Sequence, residues 1–82
     1  MATSRDEFAE ALAADIGAPA LEAGEVESIL ALAAVAAHGT GDRTAAPLAA
    51  FLAGIAAAGS DDRRGTLDAI RRRAAQLAPE AQ

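Results

Sequence analysis

Eighty-two residues with a formal net charge of -5 are enough for one small domain and too few for a second core. The acidic balance argues against a primary role on nucleic acid or an anionic membrane surface, because neutralising phosphates takes clustered positive charge. Cysteine is absent, which excludes disulfides, zinc fingers, iron-sulfur clusters and thiol catalysis.

The opening "MATSRDEFAE" is charged and lacks the apolar stretch of a signal peptide, so the expected location is the cytoplasm. Ser4 and Glu7 have capping-box spacing, and Phe8, Leu12 and Ile16 then mark one face of a helix predicted over residues 5 to 16, ended by Gly17 and Pro19. The turn "GAPALEAG" leads into "EVESILALAAVAAH", where Val26, Ile29, Leu30 and Ala33 keep the helical period and Glu25 and Glu27 suit the positive end of the helix dipole. Helix two is predicted to run to His38, where Gly39 and Gly41 interrupt it. Thr44 is the candidate cap of helix three, and Pro47 falls in its first turn, where a missing N–H is little loss.

Helix three, "AAPLAAFLAGIAAAG", is 15 residues without a charge. A helix that is apolar all round belongs in the middle of a protein, and this one is shorter than the roughly 20 residues needed to cross a bilayer. Leu48, Phe51, Leu52 and Ile55 form a bulky stripe expected to be buried; Ala46, Ala50, Gly54 and Ala58 form a smooth one that lets a neighbour approach. That neighbour is another helix of the same chain or, in a homodimer, of a second copy. Ser60 with Asp61 or Asp62 can start the fourth helix, leaving Gly65 inside it at a cost of about 1 kcal/mol; a start at Thr66 is the alternative. Its expected buried stripe is Leu67, Ile70, Ala74 and Leu77, with Asp68 placed to pair with Arg72 at i,i+4.

Alanine fills 26 positions, whereas Phe, Leu, Ile and Val together number 16. Alanine is the best helix former and a poor space filler, and the near absence of aromatic residues gives strands little support. The expected fold is all-α: a compact bundle of four short helices with helix three central, one domain over residues 1 to 82.

The stretch "AHGTGDRTAAP" contains the chain's only histidine and part of the make-up of a phosphate cradle, since glycines let backbone amides approach an anion at a helix start. Walker-type loops need a lysine after the last glycine, and both these and dinucleotide loops follow a strand; here a helix precedes. His38 is the one conventional general base, which would need a serine or threonine held against it; Ser4, Ser28 and Ser60 are each better explained by capping or by an exposed helix position. A lone histidine at a helix end most often meets the last carbonyls, and one imidazole without a second histidine or a cysteine is a poor start for a metal site. Arg63, Arg64, Arg71, Arg72 and Arg73 are interleaved with Asp61, Asp62 and Asp68, as on a solvated face. The serine-after-aspartate signature of acyl carrier proteins is missing, since Ser28 follows Glu27 within helix two. No enzyme activity, metal or cofactor is expected. The candidate contacts for an anion or a partner are His38, Arg43, Thr44, Arg71 and Arg72.

Residues 30 to 59, "LALAAVAAHGTGDRTAAPLAAFLAGIAAAG", resemble a small uncharacterised helical domain family of high-GC Gram-positive bacteria. The resemblance lies in Ala46, Pro47, Leu48, Phe51, Leu52 and Gly54, with Arg43 and His38 in the preceding turn; the Gly-Thr-Gly in this turn departs from the pattern. Domains of that family occur alone or attached to a molybdenum cofactor guanylyltransferase, which implies a role beside molybdopterin nucleotide attachment. The resulting expectation is a non-catalytic accessory or protein-interaction domain, with such a guanylyltransferase as candidate partner. The rival reading is a small-ligand or anion-binding domain using the turn from His38 to Thr44.

Overall fold

In a computed structural model, which describes residues 3 to 78, four helices follow in order: α1 (Arg5–Ile16), α2 (Glu25–Thr40), α3 (Ala45–Ala58) and α4 (Arg63–Leu77). No strand occurs among the described residues, and the fold is an all-α bundle. The first helix starts where the capping box places it: the Ser4 hydroxyl accepts the Glu7 amide and the Glu7 carboxylate accepts the Ser4 amide, each at 3.1 Å. Gly17 ends it in the left-handed region, where the lack of a Cβ removes the steric cost.

The fourth helix starts at Arg63, with the Asp62 carboxylate accepting the Gly65 amide at 3.0 Å. Gly65 therefore belongs to the capped first turn, and a Cβ there would run into the Asp62 carboxylate. Of the two starts read from the sequence, the structure is nearer the one by Ser60. Thr44 holds the cap position of α3 without capping it, because its hydroxyl donates to Asp42 instead, at 2.7 Å. Pro47 lies in the first turn of α3, where the orphan N–H groups are.

The arrangement of the helices departs from the expectation that helix three is central. It is α2 that packs against both α3 and α4, while α3 and α4 also touch; α1 packs against none of the three. The bundle is a slab about 18 Å thick, the depth of two helix layers. Its core is small: Leu32 of α2, Ala53 and Ala57 of α3, and Leu67 of α4, flanked by Ile29, Ala49, Ile70 and Ala74.

Helix α3 thus lays alanines on the core and turns its bulky side chains out. Leu48, Phe51, Leu52 and Ile55 are 66, 71, 66 and 58% exposed, which reverses the orientation expected for them. The physical reason is the close approach that alanine allows: the stripe Ala49, Ala53 and Ala57 seats α3 against α2 and α4, and the bulky stripe lies on another side of the same helix. The smooth stripe read from the sequence is one position out of register with this one, and Gly54 of that stripe is exposed. Leu77 and Leu30 are also exposed rather than buried, and Phe8, Leu12 and Ile16 form an amphipathic face on α1 with nothing over it. A close approach also explains Gly39. A Cβ at this position would collide with Ala78, so glycine lets the ends of α2 and α4 meet.

Candidate interaction surface

The most ordered polar feature is a clasp that ties the connector between α1 and α2 to the start of α4. Glu25, the first residue of α2, is 1% exposed. Its carboxylate accepts the Glu22 amide at 2.6 Å and the Arg63 Nε–H at 2.8 Å, and a second Arg63 nitrogen donates to its other oxygen. Burial pushes the Glu25 carboxyl up, but the hydrogen bonds from Arg63 and the Glu22 amide, with the charges of Arg63 and Arg64, outweigh it and hold the group below the usual carboxylate range. Arg63 also donates to the Ala20 carbonyl at 3.4 Å, and Arg64 to the Ala23 carbonyl at 2.9 Å. A φ of 82° favours glycine at position 24, where a Cβ would also displace the flexible guanidinium of Arg64.

The clasp was not visible in the sequence. Glu25 reads there as a dipole-compensating surface residue, and Arg63 and Arg64 as part of a solvated face. The only trace is that the connector's acids and the start of α4 carry opposite charges, a signal too common to single out one pair. Beside the clasp lies an apolar groove of about 550 Å³, bounded by Pro19 and Leu21 of the connector, Ile29 of α2, Gly54 of α3 and Leu67 of α4. Across the connector, α1 and the start of α2 line a smaller crevice of about 340 Å³ with Asp6, Glu7, Glu10, Glu22 and Glu27. No group of three or more His, Asp or Glu placed to hold a metal ion occurs among the described residues.

The residues singled out from the sequence are not gathered into one pocket. His38 is exposed near the end of α2, and no hydrogen bond among the described residues engages its side chain. Arg43 is exposed in the following turn. Thr44 is committed to its neighbour: both its amide and its hydroxyl donate to the Asp42 carboxylate, at 2.9 and 2.7 Å. Those bonds, from the hydroxyl and then the amide, hold the Asp42 carboxyl below its ordinary range. An anion approaching this turn therefore meets an ionised carboxylate on the very groups that would cradle it. Arg71 and Arg72 lie on the second half of α4, and no ion pair within 4 Å joins Arg72 to Asp68 among the described residues.

Three surfaces remain accessible: the outer face of α3, with four large apolar side chains more than half exposed; the Phe8, Leu12 and Ile16 face of α1; and the arginine run of α4, with Arg72 and Arg73 exposed and Arg71 half-buried. No described helix is long and apolar enough to cross a membrane. Compared with known proteins, the chain matches over residues 2–82 the model of a family described as a domain of unknown function. No curated protein and no solved structure matches it.

Proposed function

The chain belongs to the family described as Domain of unknown function (DUF6457), and from that premise we propose that it is a non-catalytic protein-interaction domain, an accessory to another protein in the cytoplasm. The observation that carries this reading is the outer face of α3, where Leu48, Phe51, Leu52 and Ile55 stand in solvent side by side on one helix. Scattered exposed apolar residues need no explanation, but a contiguous patch of this kind marks a surface that another molecule covers. The arginine run on α4 offers a second surface, suited to an acidic patch on a partner.

The partner proposed is a molybdenum cofactor guanylyltransferase, supported by the resemblance of residues 30 to 59 to domains found attached to that enzyme. The test is recovery of the guanylyltransferase with the tagged chain at native expression level. The expected result is recovery with the unaltered chain and loss with the double variant Arg71→Glu and Arg72→Glu; loss with Phe51→Asp instead would put the guanylyltransferase on the face of α3. Repeated failure with the unaltered chain removes this partner, and recovery indifferent to both variants removes both surfaces.

A further inference from the structure

We infer that the chain forms a two-fold dimer in which α1 of each copy lays Phe8, Leu12 and Ile16 on the Leu48, Phe51, Leu52 and Ile55 face of α3 in the other. This rests on the reading of the chain as an interaction domain and names the occupant of its apolar face.

The first argument is area. Phe8, Leu12 and Ile16 of α1 and Leu48, Phe51, Leu52 and Ile55 of α3 stand 45 to 71% exposed. At about 170–200 Å² for a fully exposed residue of this size, the two faces together offer on the order of 700–800 Å² per copy, close to the roughly 800 Å² that each partner contributes to a standard stable interface.

The second argument is that the chain carries both halves of the missing contact. Helix α1 has an apolar face, with Phe8, Leu12 and Ile16 at 60, 45 and 66% exposure, and packs on no helix of its own chain. Helix α3 has an apolar face of similar length, also uncovered. In its present position α1 lies along the acidic crevice, where Asp6, Glu7 and Glu10 face Glu22 and Glu27. The one cation of α1, Arg5, pairs with its neighbour Asp6. Arg5 is also drawn to Glu27, and Arg63 pairs with Glu22 at 3.5 Å, so the acidity of the crevice is compensated only in part. Helix α3, with no charged residue, sets no like charge against the acids of α1.

The third argument separates a second copy from the chain's own α1. The connector is pinned at Ala20, Glu22 and Ala23 by Arg63, Glu25 and Arg64, and α1 is closed rigidly at Gly17 by the Ala18 amide on the Ala13 carbonyl at 2.8 Å. Only the short piece between these points is left to redirect α1, so moving it onto its own α3 pulls on the clasp. A second copy leaves every one of these bonds in place. Two such contacts related by a two-fold axis close the assembly and leave no open face to propagate. The arginine run of α4 takes no part in them and stays open to a different protein.

The experiment uses the purified chain without any partner, by sedimentation and light scattering over a wide dilution series, with helix content checked by circular dichroism. The expected mass is twice that of the chain at the upper end of the series. Phe51→Asp and Leu12→Asp lie on opposite sides of the proposed contact at exposed positions, so each should keep its helix content and weaken the dimer on the order of thirtyfold or more. Mixing the two variants should restore dimer in part, because the mixed pair keeps one contact with both faces unaltered. An unaltered chain that is monomeric throughout overturns the inference and leaves the apolar face to the chain's own α1 or to another protein, which the co-purification above decides separately. A dimer that survives Leu12→Asp, or a mixture no more dimeric than either variant alone, also overturns it. If Phe51→Asp loses helix content, Leu48→Asp takes its place in the same comparison.

Discussion

The seam between α2 and α4 and the outer face of α3 invert the usual assignment of residues to inside and outside. The seam encloses an ionised carboxylate, Glu25, among the most buried side chains of the protein, while the outer face displays phenylalanine, leucine and isoleucine. With 26 alanines, the bundle closes by bringing backbones near each other, and bulky side chains do not fit between helices that sit on Ala49, Ala53 and Ala57. Position in the packing then depends on which small residues face inward. The large residues go where there is room, and what room the seam has is taken by Leu32, Leu67 and a charge whose partner reaches it from the start of α4.

The seam should be the fragile region. Arg63→Ala removes the bidentate partner of a buried carboxylate and should cost about 3–5 kcal/mol, a large part of the roughly 4–12 kcal/mol expected for a chain of this length. The effect should depend on pH in a definite sense. Glu25 has a depressed native pKa, so its contribution is complete above the unfolded carboxylate value of about 4.3 and is lost as pH falls through the native value. In Arg63→Ala the carboxyl loses the group that holds it down, so the gap between variant and unaltered chain should be widest near neutrality and narrow in acid. Denaturant melts at a series of pH values measure this. A gap that stays constant down to pH values well below 4.3 would show that Arg63 acts through its packing and not through the charge of Glu25.

A smaller effect is expected where two helix ends meet. Gly39→Ala places a methyl group against Ala78, and the clash with backbone atoms of a helix end should cost about 1–3 kcal/mol. The gain in intrinsic helix propensity from glycine to alanine, about 1 kcal/mol, works the other way. A net destabilisation in thermal or denaturant melts therefore shows the close approach winning. A net stabilisation would show that the end of α4 yields, and that the tightness of the seam ends before it reaches Gly39.

These two regions were unequally legible in the sequence. The helix limits follow local chemistry: the capping box at Ser4 and Glu7, the left-handed glycine at position 17, the proline in the first turn of α3 and the aspartate before α4 all act within a few residues. For the same reason the four-helix fold was legible. Which face of each helix is inside was not, because alanine fits either side and α3 has no polar residue to mark its outer face. The clasp escaped because it joins residues 38 positions apart, and neither has a local feature that distinguishes it from a surface charge. The candidate residues His38, Arg43, Arg71 and Arg72 were found by type alone, and no hydrogen bond or ion pair among the described residues assembles them.

The smallest effect on folding is expected on the outer face. With helix three central, Phe51→Ala would cost about 3–5 kcal/mol; with Phe51 71% exposed, the cost to the isolated chain should stay within about 0.5 kcal/mol, as at other surface positions. The measurement has to be made by denaturant unfolding in dilute solution, because any association on this face adds a concentration-dependent stability of its own. The same variant measured at high concentration gives the second half of the comparison: if a partner covers α3 there, Phe51→Ala becomes costly only as concentration rises. A loss of several kcal/mol in the most dilute samples would mean that Phe51 is packed within its own chain, and the contrast between a tight charged seam and an open apolar face would then disappear.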